Sequence, residues 1–248
     1  MADYVFDRVE ELGKLRQRFQ QRSSFLFHGP AGVGKTLLLK QAIRDDAAIL
    51  YCGHSASSLS IFRQLAAALA QRGDPVVLAK LGGHPESAIP AKSAVAIRGI
   101  VAAALKATGY TVVLDHLGFA SQALAATLKE VASWASTSVV AVARSAHMED
   151  VGFLLRRFPD RSDRFSLDNF DLEVAAQFAR EAANRKGLQA QNLDDFLQRA
   201  VEFSEGNPGA ILAMLDLAGQ ARYRSEDHIK ITPLYIDFRM KGESPTHG

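Results

Sequence analysis

The residues with the clearest chemical meaning form the segment GPAGVGKT at 29–36. Its three glycines let the oxygens of an anion approach backbone N–H groups closely, and Lys35 adds an ammonium group. Thr36 adds a hydroxyl, an oxygen ligand that Mg²⁺ accepts. The spacing G-x-x-x-x-G-K-[ST] between a predicted strand and a predicted helix is typical of a loop that cradles nucleotide phosphates. The predicted nucleotide-binding residues are the whole of this segment, Gly29, Pro30, Ala31, Gly32, Val33, Gly34, Lys35 and Thr36, together with Leu37, which follows it.

An acidic residue elsewhere in the chain belongs to the same chemistry. The apolar run TVVLD ends in Asp115, so a carboxylate follows a predicted buried strand, and we predict that Asp115 and Thr36 together hold Mg²⁺. Many hydrolytic proteins with this loop place glutamate after that aspartate to orient the attacking water, whereas this chain has His116. Three alternatives stay open for His116: a catalytic proton acceptor, a donor that orients water, and a residue that merely ends the strand. Fast hydrolysis is therefore not assured by the sequence.

Four arginines and two aspartates crowd the segment RRFPDRSDR at 156–164. This segment has three interpretations: a solvated helix end, a source of an arginine that enters a neighbouring subunit's site, and a contact for a phosphate backbone. The His residues show no metal-ligand spacing, so a zinc centre is not predicted.

The elements that must position these groups alternate between strands and helices. Such alternation predicts parallel βαβ units with both faces of the sheet covered, and we expect residues 73–92, which are rich in glycine and proline, to be irregular. The predicted strands are 23–29, 47–53, 110–116, 136–145 and 163–170, and the predicted helices are 7–20, 36–46, 58–72, 92–107 and 119–135.

After residue 170 the pattern becomes helical. Asp171, Asn192 and Asn207 each stand where they can cap a helix, and Pro208 suits the first position of the third one. The last apolar segment, IKITPLYIDFRM at 229–240, alternates with period two, which predicts an extended edge strand that either folds back on this chain or adds to a partner's sheet.

Composition sets further bounds. The chain has 248 residues, 48% of them hydrophobic and 23% charged, which is ordinary for a globular protein with a sizeable core. The single cysteine, Cys52, excludes an internal disulfide, and no run approaches the ~20 apolar residues of a membrane span. With a charged N-terminal stretch, this predicts a cytoplasmic location and no membrane partner. The net charge of +2 is too small to indicate nucleic-acid binding by itself.

Several motifs, in this order, resemble those of the AAA+ and STAND P-loop ATPases, especially the small ATPases related to origin recognition and transposition. VFDRVEEL at 5–12 resembles their N-terminal box, with Asp7 where glycine is usual, and GPAGVGKT and VVLDH resemble their Walker A and Walker B motifs. VVAVARS, which ends in Arg144 and Ser145, resembles the strand with the sensor-1 residue, and SEGNPGAILAML at 204–215 resembles the start of a lid helix.

The resemblance implies an α/β P-loop NTPase fold. It predicts a parallel sheet of order 5-1-4-3-2 in a core of residues 1–168, a helical lid at 169–222, and an extended segment and tail at 223–248.

The resemblance also implies roles for residues outside the phosphate loop. It places Phe6, Arg8 and Pro208 beside the nucleotide and Arg144 near the γ-phosphate. Members of this group often carry a trans-acting arginine after the fourth strand, where Arg157 is the preferred candidate among four. Lys35, Asp115, His116, Arg144 and Arg157 are thus the predicted catalytic residues, and no sensor-2 arginine can be assigned.

The predicted function is that of an ATP- and Mg²⁺-dependent switch that assembles with itself or with partners. DNA association is the favoured use, with slow ATP hydrolysis resetting the switch. The alternative is a signalling or defence scaffold that acts on protein partners and hydrolyses ATP slowly or not at all.

Overall fold

The computed structural model describes residues 5–44, 46–54, 57–82, 84–133 and 137–242. These residues form two compact units. The first comprises the chain up to Gly29 together with Lys35–Leu167, and the second comprises Pro30–Gly34 together with the chain from Asp168 onward. We call them the α/β unit and the helical unit.

The α/β unit is built on one parallel sheet. Its strands are β1 (Phe25–His28), β2 (Ile49–Cys52), β3 (Thr111–Leu114), β4 (Ser138–Ala143) and β5 (Arg164–Ser166). They are arranged in the order β2-β3-β4-β1-β5, and every pairing is parallel. The predicted order 5-1-4-3-2, which is the same arrangement read from the opposite edge, is confirmed.

Burial explains why short apolar runs suffice for these strands. Every residue of β3 and β4 is buried, as expected for central strands covered by helices on both faces. The carboxyl ends of parallel strands meet at one edge of a sheet, so the residues that follow β1, β3 and β4 come close together there.

Eight helices connect or flank these strands in the described part of this unit. They are α1 (Val9–Gln20), α2 (Lys35–Ala42), α3 (Ser58–Gln71), α4 (Pro75–Leu81), α5 (Pro85–Ala91), α6 (Ala94–Ala107), α7 (Gln122–Ser133) and α8 (Met148–Val151).

The prediction that residues 73–92 are irregular was wrong, because α4 and α5 lie there. Asp74 caps α4 by accepting a hydrogen bond from the Val77 N–H at 2.9 Å, and Pro75 takes the first helical position. Pro85 begins α5 in the same way. These prolines start helices because the missing N–H of proline costs nothing in a first turn.

The helical unit contains α9 (Leu172–Arg185), α10 (Leu193–Ser204) and α11 (Pro208–Ala218). Asp171 caps α9 through the Val174 N–H at 2.8 Å, and Asn207 caps α11 through the Ala210 N–H at 3.0 Å, as predicted.

The predicted side-chain cap at Asn192 was wrong. Its amide instead pairs with the backbone of Ile229, donating to the carbonyl at 2.9 Å and accepting from the N–H at 2.8 Å. The side chain that the local sequence predicted as a helix cap is therefore used in a tertiary contact.

The last described segment was also predicted wrongly. A short hairpin, β6 (Arg224–Ser225) and β7 (His228–Ile229), leads into the helix α12 (Ile231–Gly242) rather than into an extended strand over 229–240. The positions that turn inward follow the helical spacing i, i+3, i+4 and i+7, whereas two of the apolar residues that suggested period two are exposed. The inward positions are Ile231, Leu234, Tyr235 and Phe238, and the exposed ones are Ile236 and Met240.

Packing holds α12 in place. The ring of Tyr235 stacks on Phe203, with centroids 3.8 Å apart, and Tyr223 donates a hydrogen bond to Asp237 at 2.5 Å. Pro233 is tolerated because it lies in the first turn of the helix. Over the described ranges, no helix combines the length and the apolar character needed to cross a bilayer.

Candidate nucleotide-binding site

The glycine-rich loop links β1 to α2 and needs a backbone that only glycine adopts easily. Gly32 and Gly34 have φ angles of 80° and 101°, in the left-handed region. A Cβ built on Gly34 meets no atom within 4 Å, so its conformation, rather than crowding, requires glycine. The Val33 N–H closes the turn on the Pro30 carbonyl at 3.4 Å.

Lys35 is the first residue of α2, and its side chain turns back toward the start of the loop. Its Nζ donates a hydrogen bond to the Gly29 carbonyl at 2.6 Å. Burial lowers the pKa of Lys35 below the ordinary lysine value; Asp115 opposes this shift, and Arg144 adds to it. Burial thus disfavours the charge of the ammonium group, and a polyanionic ligand beside it would favour that charge.

Asp115 accepts hydrogen bonds from three separate segments of the chain. Its carboxylate is buried and accepts hydrogen bonds from the Thr36 hydroxyl at 2.8 Å and from the Tyr51 hydroxyl at 2.7 Å. The backbone N–H of His116 donates to its other oxygen at 2.8 Å. Three donors therefore fix the carboxylate at the carboxyl end of β3, beside the start of α2.

The residues present fit a magnesium ion. Thr36 and Asp115 offer a hydroxyl and a carboxylate within hydrogen-bonding distance of each other. Mg²⁺ commonly takes one or two protein oxygens and completes its shell with phosphate and water. In the ranges described, no group of three or more His, Cys, Asp or Glu side chains is placed so that it could hold a metal ion by itself.

His116 adopts an uncommon backbone conformation for a residue other than glycine, with φ at 51°. Its side chain is 64% exposed, and its Nε2 lies 3.8 Å from the Asp115 carboxylate, beyond hydrogen-bonding distance. The imidazole therefore stands next to the buried acid and faces solvent.

The residues after β4 supply further charge to this edge of the sheet. Arg144 is exposed and lies close enough to Lys35 to help lower the pKa of that lysine. The Ser145 hydroxyl donates to Asp150 at 2.6 Å, which ties the loop after β4 to α8. Lys35, Asp115 and Arg144 thus interact electrostatically in the α/β unit.

The N-terminal residues predicted to flank the nucleotide are placed just before α1. Phe6 is half-buried, and the Arg8 guanidinium donates to Glu11 at 2.6 Å. Asp7 has a φ of 42°, which gives a physical reason for the glycine that is usual at this position of the motif.

Two other predicted binding residues lie elsewhere. Pro208 is buried at the first position of α11, within the helical unit. Leu37 is 36% exposed on the first turn of α2, whereas its neighbours Leu38 and Leu39 point into the core.

The arginines at 156–164 differ in the contacts that their side chains make within the chain. Arg164 donates to the Phe158 carbonyl at 3.0 Å and to the Pro159 carbonyl at 3.3 Å, and Arg156 lies over the Phe153 ring at 5.3 Å. Arg157 is exposed at the end of a short 3-10 helix, Phe153–Arg157.

Sequence reasoning missed Tyr51. It is the third residue of β2, paired in register with Val113 of β3, and its hydroxyl reaches Asp115. Burial and the hydrogen bond to Asp115 raise the pKa of Tyr51, so the hydroxyl keeps the proton that it donates. The available signal was a tyrosine near the carboxyl end of an otherwise apolar strand.

Comparison with known proteins gives matches to solved structures only. No family model and no curated protein matches the chain. The chain is similar to a Walker-type ATPase of Pyrococcus abyssi (17% identity, TM-score 0.59), covering 86% of this chain and 67% of that one. It is also similar to the ORC1 protein of Aeropyrum pernix, solved in complex with DNA (16% identity, TM-score 0.63), covering 98% of this chain and 67% of that one.

A third similar structure is a STAND protein of Pyrococcus horikoshii with a tetratricopeptide repeat sensor (15% identity, TM-score 0.51). The match covers 97% of this chain but 33% of that protein. The chain thus spans about two thirds of the first two proteins and one third of the third. At these identities the likeness concerns the fold alone, and it agrees with the strand order and the phosphate loop described above: the chain has a P-loop NTPase fold.

Proposed function

We propose that this chain binds ATP with Mg²⁺ and uses the bound nucleotide as a switch for assembly with itself or with a partner. The observation that carries the proposal is the hydrogen bond of 2.8 Å between Thr36 and Asp115, next to the phosphate loop. A hydroxyl and a buried carboxylate brought together from positions 79 residues apart supply the oxygens that such a cation requires. A divalent ion held there would neutralise charge on the nucleotide phosphates.

Each residue of the site has a part in this proposal. The loop's N–H groups and the start of α2 bind the phosphates, and Lys35 exchanges its hydrogen bond to Gly29 for one to a phosphate oxygen. Arg144 adds positive charge at the end of β4. Phe6, Arg8 and Pro208 are proposed to contact the rest of the nucleotide.

We propose that hydrolysis is slow. The residue after Asp115 is a histidine rather than a carboxylate, and its imidazole is exposed and separated from Asp115 by 3.8 Å. This same observation favours a second candidate function, a scaffold that senses nucleotide without turning it over. The two differ in one measurement, which is the appearance of ADP after long incubation of the protein with Mg-ATP and candidate partners.

The Lys35→Ala variant tests nucleotide binding. Removal of the ammonium group should weaken binding of Mg-ATP by roughly 100-fold or more, since a partly buried charge-assisted contact is lost, while the fold survives. Titration calorimetry measures the affinity, and circular dichroism measures the fold. Lys80→Ala, which removes an exposed lysine of α4, is the matched control and should bind as the unmodified protein does. Equal affinity in both variants would reject the site.

We further propose that the partner is DNA, which is supported by the arginines at 156–164 and by the similarity to a protein solved on DNA. Binding through phosphates should weaken steeply between about 50 and 200 mM salt. The test measures the binding of duplex DNA to the protein with Mg-ATP, and ATP turnover with and without that duplex, at both salt concentrations. Failure to bind DNA at low salt would favour the alternative, a module acting on protein partners.

A further inference from the structure

The start of α11 contacts the tip of the phosphate loop through two hydrogen bonds. The side-chain Nδ2 of Asn207 donates to the Ala31 carbonyl at 2.9 Å, and the backbone N–H of Gly209 donates to the Gly32 carbonyl at 3.0 Å. These four residues all belong to the helical unit. The contacts fix two successive carbonyl groups of the loop.

Fixing a carbonyl also fixes the N–H group of the same peptide. In a trans peptide the two groups point in opposite directions, and the described chain contains no cis peptide bond. With the Ala31 carbonyl directed to Asn207, the Gly32 N–H points away from α11. With the Gly32 carbonyl directed to Gly209, the Val33 N–H points the same way, toward the turn closed on Pro30. Backbone N–H groups of this loop are the donors that a phosphate requires.

The backbone contact between Gly32 and Gly209 requires that both residues lack a side chain. A Cβ on Gly209 would lie 2.7 Å from the Gly32 Cα and 2.8 Å from its oxygen. A Cβ on Gly32 would lie 2.7 Å from the Asn207 Oδ1. The first contact is with backbone, so it cannot be relieved without moving the loop or the helix start. The second would displace the Asn207 side chain that caps α11.

Asn207 uses both ends of its amide. Its Oδ1 caps α11 by accepting from the Ala210 N–H at 3.0 Å, while its Nδ2 donates to the Ala31 carbonyl and also lies 3.0 Å from the Asn169 Oδ1. Serine at this position would keep the cap, because serine caps helices about as well as asparagine, but it would lose the amide donor.

We propose that Asn207 and Gly209 are positioning residues. Asn207 holds the Ala31 carbonyl so that the Gly32 N–H faces the phosphates of the nucleotide, and Gly209 holds the Gly32 carbonyl so that the Val33 N–H keeps the turn of the loop closed on Pro30. The inference rests on the proposed function, since it supposes that the loop binds phosphate. It assigns to α11 a part in phosphate binding through the loop backbone rather than through a side chain that touches the ligand.

Two variants test this inference by calorimetric titration of the full chain with Mg-ADP. Asn207→Ser keeps the cap without the donor, and Gly209→Ala introduces the Cβ that contacts Gly32. We expect each to bind ADP about tenfold more weakly than the unmodified protein, the usual effect of a lost or strained hydrogen bond. Gly99→Ala in α6 is the matched control, because a Cβ there meets no atom within 4 Å, and it should bind unchanged.

A second measurement separates positioning from loss of structure. In nucleotide-free protein labelled with ¹⁵N-glycine, the amide resonance of Gly32 should shift in both variants, whereas the resonances of Gly13 and Gly118 should stay in place. Affinity within twofold of the unmodified protein in both variants, or an unmoved Gly32 resonance, would overturn the inference. If the unmodified protein fails to bind ADP, the proposed function fails, and the Gly32 resonance still decides whether α11 orients the loop.

Discussion

At the scale of single residues, the site contains two opposite charges, those of Asp115 and Lys35, and each forms hydrogen bonds with other groups of the chain. Asp115 is held by the hydroxyls of Thr36 and Tyr51, and Lys35 by the Gly29 carbonyl. A ligand that enters must exchange some of these hydrogen bonds for its own. The net gain on binding is therefore smaller than the sum of the new contacts, because the old ones are lost.

The lowered pKa of Lys35 predicts a pH dependence of nucleotide binding. Bound phosphates favour the ammonium form, so the pKa of Lys35 rises in the complex and binding takes up a proton wherever the free lysine is neutral. Affinity for Mg-ADP should be full below the pKa of the nucleotide-free protein. It should then fall about tenfold per pH unit as the pH rises through that value, at a lower pH than an ordinary lysine would give.

Calorimetry between about pH 7 and 10 measures this dependence, and titration in two buffers of different ionisation enthalpy measures the proton uptake directly. The Lys35→Arg variant is the control, because its guanidinium stays charged over this range. An affinity that stays constant up to the pH at which an ordinary lysine loses its proton would contradict the prediction.

At the scale of elements, short hydrogen-bonded contacts link segments that are distant in sequence. The pairing of Asn192 with both backbone groups of Ile229 joins the start of α10 to β7, 37 residues later. Since Ile229 is buried, water cannot readily replace the lost partners if that side chain is shortened.

Asn192→Ala should therefore lower the free energy of unfolding by about 1–3 kcal/mol, the range for leaving a buried backbone group unsatisfied. Chemical denaturation followed by circular dichroism measures it. Asn184→Ala, which truncates an exposed asparagine of α9, is the matched control and should stay within about 0.5 kcal/mol of the unmodified protein. A helix-cap role alone for Asn192 would give a loss of about 1 kcal/mol or less, with no change at β7 in hydrogen exchange.

How far the sequence predicts the structure depends on how distant in sequence the interacting residues are. Strands β1 to β4 were predictable because each lies in an apolar run bounded by turn residues, and the closeness of Thr36 to Asp115 follows from the common edge where parallel strands end. Helices α4 and α5 were missed because their prolines were interpreted as breaks. The binding and catalytic roles of the site residues stay predictions.

Contacts between distant segments left little local trace in the sequence. Tyr51 reaches Asp115 across 64 positions, and Asn207 reaches Ala31 across 176. The helix α12 was interpreted as a strand because the apolar residues at 234, 236, 238 and 240 fall at even spacing, although Ile236 and Met240 are exposed. Its packing partner Phe203 lies in α10. Periodicity identifies an amphipathic face, but the partner of that face is fixed by tertiary packing.

At the scale of the whole molecule, the proposed switch makes turnover depend on assembly. Arg157 is exposed, whereas Arg164 is bound to two carbonyls of its own chain, so Arg157 is the better source of an arginine that enters a neighbour's site. If it does so, an isolated copy lacks a group worth roughly 10³–10⁵ in rate.

ATP turnover per subunit should therefore rise with protein concentration across the range in which the chain assembles, and Arg157→Ala should abolish the rise without changing the affinity for ADP. Sedimentation at the same concentrations defines the assembly range. Arg156→Ala, which removes the neighbouring arginine that lies over Phe153, is the control expected to keep the rise. Turnover that stays flat while the protein assembles would contradict a role for a neighbouring subunit.

Cys52 lies beside Tyr51 in β2, and its burial has a consequence for the chemistry of the chain under oxidative stress. The thiol is fully buried, and burial raises its pKa to about 12, so the folded protein offers almost no thiolate to peroxide or to another sulfur. Because the sequence holds no other cysteine, oxidation of a thiol or a disulfide between copies can begin only after β2 has opened. Modification of Cys52 by a thiol-specific reagent would thus measure the fraction of the protein in which β2 is open, and not a state of the folded protein.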